Sequence, residues 1–354
     1  MIKKIDERDT MFARMAWSED GPAAGDYYKR HPEKKTIDDE LKALPNLSEE
    51  GTATYDPINS RIADSLFRLI ADLRPLVDKE VIRGPVEIDP LRATDKLKAI
   101  ARHFGADLVG ITAMKDYHYY SHRGRHEEDY GAPTTPHHRY GIVFAVEMDR
   151  DYINRAPQLE QTVETTRGYL NSAMTGMVLS YFLREIGYEA RNHMDGNYLV
   201  VAPLVAQDAG LGEIGRMGIL ITKAFGPRVR LGVVTTDLEL VPDEPEPFGI
   251  KAFCELCNKC SVTCPGKAIP PGPRSEVDGV LRWQIDQEKC YRVWRNIGTD
   301  CGVCLSTCPF SQEVDSGSIE AMKDDPQVMK KILEVHQEKY GIRYYNREPM
   351  PLIK

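Results

Sequence analysis

The sequence predicts an α+β protein, an α/β sandwich joined to a small cysteine-rich domain. Three observations predict it. Before residue 242, segments with helical periodicity alternate with short apolar runs of strand length, the pattern of helices packed on a sheet. The stretch Pro242–Pro247 holds Pro242, Pro245 and Pro247 and reads as a linker. All eight cysteines follow it, between Cys254 and Cys308. The implied division is an N-terminal arm (1–55), the sandwich (56–241), the cysteine domain (248–315) and a C-terminal helix and tail (316–354).

Composition sets outer bounds. A chain of 354 residues with 42% hydrophobic and 28% charged residues can bury a sizeable core as an ordinary globular protein. A formal charge of −8 argues against a broad nucleic-acid surface. No apolar run approaches the roughly 18 residues of a membrane span. The start, Met1-Ile2-Lys3-Lys4-Ile5-Asp6, has neither an apolar signal region nor a twin-arginine pair, so a cytoplasmic location is expected as written. Removal of a twin-arginine signal would instead place the protein on the outer face of a membrane.

Taken in order, residues 1–55 read as a polar, turn-rich arm lying on the surface. A helix is predicted at about Ile58–Leu73, with Ile58, Ile62, Leu66, Leu69, Ile70 and Leu73 on one stripe. A second begins at Thr94 and carries Leu97, Ile100, Ala101 and Phe104; Ala106–Thr112 then reads as a buried strand. Residues 115–140 are dense in histidine and tyrosine, among them His118, His122, His126, His137, His138, Tyr117 and Tyr120. A metal site is conceivable there, but a long loop lining or covering a pocket is the stronger reading. Strands follow at Tyr140–Met148, Tyr198–Ala206 and Arg230–Asp237. Between the first two, a long helix at about Leu159–Ile186 should bury Leu170, Ala173, Met174, Met177, Val178 and Tyr181. Ala209-Gly210-Leu211-Gly212 is a glycine-rich turn able to present backbone N–H groups to an anionic ligand group. A last helix near Pro326–Tyr340 should pack across the cysteine domain.

The cysteines form two blocks: Cys254-x-x-Cys257-x-x-Cys260-x-x-x-Cys264-Pro265, and Cys290 with Cys301-x-x-Cys304-x-x-x-Cys308-Pro309. The first has the bacterial ferredoxin spacing, in which three thiolates wrap one [4Fe–4S] cluster and the fourth ligates its neighbour. The eight divide into Cys254, Cys257, Cys260 and Cys308 for one cluster and Cys264, Cys290, Cys301 and Cys304 for the other. A disulfide scaffold does not suit a large chain with no cysteine before Cys254. Zinc fits poorly with a third cysteine three residues on and with the two Cys-Pro endings. The segment Tyr291–Asp300, longer than the gap of a small ferredoxin, is where the cluster domain should touch the sandwich or a partner.

Several segments resemble the corrinoid-dependent reductive dehalogenases: Asp6–Met15 (DERDTMFARM), Ala209–Arg216 (AGLGEIGR), Phe225–Leu231 (FGPRVRL), Thr236-Asp237-Leu238 and both cysteine blocks. The resemblance implies a nitroreductase-like, cobalamin-binding core carrying a two-cluster ferredoxin-like domain. It implies reductive dehalogenation of an organohalide by cob(I)alamin, with Tyr169 as proton donor, Arg230 stabilising the tyrosinate, and Asn197 beside the substrate. Gly210, Gly212 and Arg216 are the expected cofactor contacts. An external low-potential donor (ferredoxin, flavodoxin or a membrane donor) is implied as well. Asp116-x-His118-x-x-Ser121 is similar to a corrinoid motif, but Ser121 stands where a glycine belongs, and the match is taken as accidental.

A tyrosine with a pKa near 10 is protonated at neutral pH, and a guanidinium favours the phenolate it leaves. The plain alternatives are a helix-flank tyrosine and a surface strand arginine. Two other functions compete. The epoxyqueuosine reductases share the corrinoid core and wiring but act on tRNA, and their catalytic aspartate would fall at or next to Asp195. A ferredoxin-type electron carrier would leave the residues upstream of the cysteines without a purpose.

Overall fold

The computed structural model describes residues 2–136 and 138–354; His137 of the histidine-rich loop lies outside them. The arm forms α1 (Met11–Arg14), α2 (Pro22–Arg30) and α3 (Pro32–Lys42), and α4 (Ser60–Leu73) and α5 (Pro90–His103) lead to the sheet. Strands β1 (Leu108–Ala113) and β2 (Tyr140–Glu147) flank the His/Tyr loop. Next come α6 (Arg150–Ile153), the long α7 (Leu159–Glu185), β3 (Ala190–His193) and α8 (Ala202–Asp208). A tight hairpin, β4 (Glu213–Ile214) and β5 (Leu220–Ile221), precedes β6 (Val229–Thr236). The cysteine domain holds α9 (Ile250–Leu256), α10 (Lys259–Thr263), the hairpin β7 (Ser275–Val277) and β8 (Val280–Arg282), α11 (Gln287–Ile297) and α12 (Val303–Thr307). Helices α13 (Ser316–Ala321) and α14 (Pro326–Tyr340) close the chain.

The main sheet has the order β1-β2-β6-β3, with every neighbouring pair antiparallel. Its central strand β2 is apolar at every position from Ile142 to Val146 because helices cover both faces. Ile142, Phe144 and Val234 pack against Leu97, Ala101, Leu179 and Leu183 of α5 and α7. Val143, Ala145 and Val233 pack against Val205 and Ala206 of α8. The predicted sandwich is therefore present, and the strands at Tyr140 and Arg230 lie within a residue or so of their expected limits. Among the described residues no helix is long and apolar enough to cross a membrane.

Four expectations need correction. The arm is not a solvated coil: Ala13, Trp17, Ala23, Ala24 and Tyr27 form a core of their own. Arg14, fully buried, pairs with Asp38 at 2.5 Å and with Glu288 of α11 at 2.8 Å, tying the arm to the cysteine domain. Charged residues hid this packing because they are buried as pairs. In α4 the buried face is Ser60, Ala63 and Ile70, while Ile58 is 77% exposed. The expected strand Tyr198–Ala206 is a turn followed by α8, which starts with Pro203 in its first turn, where a missing N–H costs nothing. The strand edge it was meant to supply is β3, whose sequence Ala190-Arg191-Asn192-His193 is polar yet fully buried.

Helix α7 has its predicted limits and only part of its predicted face. Met174 and Tyr181 are exposed, whereas Ala173 and Met177 are buried. The sheet-facing side carries two glycines beside Leu179 and Leu183: a Cβ on Gly176 would lie 2.1 Å from Asn192 Oδ1, and one on Gly168 would lie 2.7 Å from Arg230 Cγ. Small residues let the helix approach the sheet closely at these points, while Leu170, Ala173 and Met177 of the predicted stripe pack with Ile70 of α4. The first turns, Leu159–Thr166, are buried on every side.

Candidate active site

Strand β3 pairs with β6 only over Val233–Thr236. Its four residues stop short, so β6 keeps an open edge at Val229–Gly232, and the chain turns away through Asp195–Tyr198. A cavity of about 300 Å³ occupies that gap. Tyr169 of α7 and Arg230 of β6 line it, together with Tyr120 and Arg125 from the His/Tyr loop and Asp195 and Tyr198 from the turn. Val200, Ala202, Pro203, Leu220, Val229 and Leu231 give it an apolar side. Glu7, Thr10 and Phe12 of the arm also face it, which places the DERDTMFARM segment at the site.

The Arg230 guanidinium carbon lies 4.9 Å from the centre of the Tyr169 ring. Arg230 Nη2 donates to Thr165 Oγ1 at 2.8 Å and to Asp300 Oδ2 at 3.2 Å, and its buried Nε has no protein partner. Burial pushes the Tyr169 hydroxyl above the usual tyrosine range, with Asp195 and Asp300 adding to the rise and Arg230 opposing it. Tyr120 and Tyr198 are raised as well, chiefly by burial. At neutral pH the cavity thus presents neutral phenols beside fixed cations. Asp195 Oδ1 is held by Arg125 Nη1 at 3.4 Å.

The expected residues do not all meet there. Asn197 sits outside the cavity lining, its Oδ1 accepting from Arg191 at 2.9 Å and Arg123 at 3.3 Å. Arg216 is turned into the cysteine domain, donating to the carbonyls of Cys254, Cys257, Pro270 and Gly272 and stacking on Trp283 at 4.8 Å. Gly210 and Gly212 line a separate groove, and a Cβ on Gly212 would be 2.2 Å from the Ile221 carbonyl oxygen. At both positions the missing Cβ permits close backbone packing; one on Gly210 would lie 2.8 Å from the Glu244 carbonyl oxygen. Glu213 of the same run accepts the backbone N–H groups of Phe248, Gly249 and Ile250 at 2.9, 2.9 and 3.0 Å, capping α9 ahead of Cys254. The charged residues of the glycine-rich run therefore serve the cysteine loops. His118 is likewise committed: Nδ1 accepts from the Lys115 N–H and Nε2 meets Asp208, both at 3.1 Å.

None of the eight cysteines is in a disulfide. They gather in two sets. Cys308 neighbours Cys254, Cys257 and Cys260, and Cys290 neighbours Cys264 and Cys301, with Cys304 beside Cys301 and Cys290. Burial, then the adjoining thiols, pushes Cys254, Cys260 and Cys290 up to about 12. Such crowded buried sulfurs become thiolates only with compensating metal charge, so the donor set suits iron–sulfur ligation. Met329 and Ile332 of α14 pack in the same core as the cysteines, as the sequence indicated. Gly215, in the hairpin between Ile214 and the cavity residue Leu220, has a Cβ position 3.3 Å from Cys254 Sγ. Asp300, next to Cys301, reaches Arg230. The cysteine domain thus lies directly behind the cavity lining, in contact with Arg230 and with the β4–β5 hairpin.

Residues 253–312 match the 4Fe–4S dicluster domain family. The chain is 36% identical over 264 residues to the tetrachloroethene reductive dehalogenase of Sulfurospirillum multivorans, a match covering 65% of this chain and 52% of that protein. It is a relative of the corrinoid reductive dehalogenases. The fold agrees: a catabolic reductive dehalogenase solved with 3-bromo-4-hydroxybenzoic acid superposes with a TM-score of 0.76 at 24% identity, covering 99% of this chain and 49% of that one. The epoxyqueuosine reductase of Lactococcus garvieae is a more distant relative, 26% identical over 194 residues, covering 50% of this chain and 54% of that protein. The chain spans about half the length of the reductive dehalogenases it matches. Within that half lie the dicluster domain and the cavity. Tyr198 and Asp300 carried no motif signal; Asp195 was marked by the resemblance to the epoxyqueuosine reductases, Tyr120 by the His/Tyr loop, and the arm residues by the Asp6–Met15 run.

Proposed function

We propose that the protein catalyses reductive dehalogenation of a small organohalide: R–X + 2 e⁻ + H⁺ → R–H + X⁻. The observation that carries the reading is the stacked Tyr169–Arg230 pair lining a cavity, with Arg230 hydrogen-bonded to Asp300 of the cluster domain. Cys254, Cys257, Cys260 and Cys308 would hold one [4Fe–4S] cluster, and Cys264, Cys290, Cys301 and Cys304 the other. The residues present also fit a corrinoid. Val200, Ala202, Pro203, Leu220, Val229 and Leu231 suit the apolar face of a corrin, and Gly218 leaves room, its Cβ position meeting nothing nearer than Ile285 at 3.7 Å. When bound, clusters and corrinoid supply the low-potential electrons, fed by an external donor.

The chain's own part is the proton and the pocket. Tyr169, kept neutral by burial, gives its hydroxyl proton to the carbon that loses halide. Arg230, held over the ring, offsets the charge of the tyrosinate until solvent returns the proton. Tyr120, Tyr198 and Phe12 exclude water and set the size of substrate admitted.

The test is halide release from a panel of organohalides with a low-potential reductant, after anaerobic reconstitution with and without cobalamin. Tyr169→Phe should abolish turnover while both clusters and the corrinoid stay bound; near-wild-type rates in that variant would sink the assignment. Asp195 at the cavity wall favours a second reading, an epoxyqueuosine reductase-like activity with that aspartate as the acid. Binding to tRNA that weakens steeply between two salt concentrations would support it.

A further inference from the structure

We propose that Asp300 is a positioning residue for this site: it reaches out of the cluster loop to fix the Arg230 guanidinium over the ring of Tyr169. The inference rests on the function proposed above. Arg230 leaves β6 at the edge that β3 does not cover, so no neighbouring strand supports its backbone on that side. Its stem passes Gly168, and its head makes two hydrogen bonds, to Thr165 and Asp300. A flexible arginine aimed at an aromatic face needs such anchors, because stacking alone does not offset its lost side-chain freedom.

Thr165 is itself oriented by Asp300, donating Oγ1–H to Oδ2 at 2.7 Å. Thr162 donates to Oδ1 at 3.0 Å, and Gln161 Nε2 to Oδ2 at 3.3 Å. The carboxylate is thus the common acceptor of three α7 side chains and Arg230. Asp300 and Arg230 side chains are only 10% and 16% exposed, so water competes weakly for either.

The loop that carries Asp300 is locked onto the start of α7. Thr299 Oγ1 donates to the Pro157 carbonyl at 2.7 Å, and Asp300 N–H to Thr162 Oγ1 at 3.2 Å. Cys301 and Gly302 take left-handed φ values of 64° and 65°, and a Cβ on Gly302 would lie 2.2 Å from the Gln161 side chain. A larger residue at 302 would lift the loop. The seating of the cluster loop and the geometry of the proton-donating pair form one unit.

The experiment uses the full chain, reconstituted anaerobically and oxidised, with 3-fluorotyrosine placed at position 169. Its fluorine resonance is compared in wild type, Asp300→Asn, Thr165→Val and Arg230→Met, the last giving the value with no cation over the ring. Iron content and the cluster spectra are recorded for each. Asp300→Asn should move the resonance most of the way to the Arg230→Met value at unchanged iron content, and Thr165→Val should move it part of the way. Turnover in Asp300→Asn should fall roughly ten- to hundred-fold, mainly in kcat. A wild-type resonance in Asp300→Asn overturns the proposal. If that variant loses iron, Thr165→Val decides: a shift supports the proposal, and an unmoved resonance overturns it. A wild-type protein that releases no halide refutes the proposed function and leaves the resonance comparison intact.

Discussion

Replacing Gly168 with alanine tests how closely α7 must sit against β6 for the site to work. The added methyl would lie 2.7 Å from Arg230 Cγ, 3.1 Å from its Cβ and 3.7 Å from Met148 Cγ. Carbon pairs rest at about 3.5–4.0 Å, so roughly 1 Å must be absorbed. Alanine gains about 1 kcal/mol of helix propensity over glycine, while overpacking costs about 1–3 kcal/mol. The net change in stability is expected between about zero and 2 kcal/mol of loss. Function should suffer more than stability. Arg230 escapes the methyl only by leaving Thr165 and Asp300, hydrogen bonds to a charged group worth about 1.5–3 kcal/mol each, or by pushing α7 and Tyr169 away. Either movement separates cation from ring and should slow halide release roughly ten-fold or more. The assay pairs a thermal melt with single-turnover halide release on protein of wild-type iron content. A variant with wild-type rate and wild-type Tm would refute the argument from packing distance.

Two further outcomes are expected. Arg14→Met strands the buried Asp38 carboxylate, which then keeps only the Tyr28 hydroxyl at 3.0 Å among its side-chain donors, and should cost about 3–5 kcal/mol in denaturant unfolding. The double variant Arg14→Met/Asp38→Leu should regain most of it, and a single variant within about 1 kcal/mol of wild type contradicts the reading. His336 of α14 is buried with neither ring nitrogen hydrogen-bonded, and burial lowers its pKa from 6.5 to about 4, with Lys259 adding to the effect. The unfolded chain therefore takes up a proton that the folded chain refuses. The associated stability is present above pH 6.5 and is lost as pH falls toward 4, up to about 1.4 kcal/mol by pH 5.5. His336→Leu should melt higher than wild type and lose less on going from pH 7.5 to 5.5; an identical pH dependence argues against a neutral buried imidazole.

Elements whose pattern reports their own burial were legible. The apolar strands at β2 and β6, the limits of α7 and the helix Pro326–Tyr340 fall where periodicity put them. Elements whose neighbours decide burial were not. β3 is Ala-Arg-Asn-His and is buried because α7, with glycine at 176, comes close enough for Asn192 Nδ2 to donate to the Ala173 carbonyl at 3.1 Å. Arg216 and Glu213 were read as cofactor contacts or passed over because their targets are backbone groups of a loop some forty positions later. The stack of Arg230 on Tyr169 was reachable only through a family resemblance, since nothing local to either residue distinguishes it from an ordinary helix tyrosine and strand arginine.

By itself the sequence determined the eight sulfur donors and their division into two blocks, because cluster ligation depends on short spacings that the chain carries within itself. It also determined the sandwich, because covered strands must be apolar at consecutive positions. Only the tertiary structure decided that β3 ends early, opening an edge of β6 to the cavity. Only it brought Asp300 against Arg230, Arg230 over Tyr169, and the N-terminal arm across the same space. Those contacts join residues far apart in the chain through polar groups satisfied by one another, and such complementarity has no period to read.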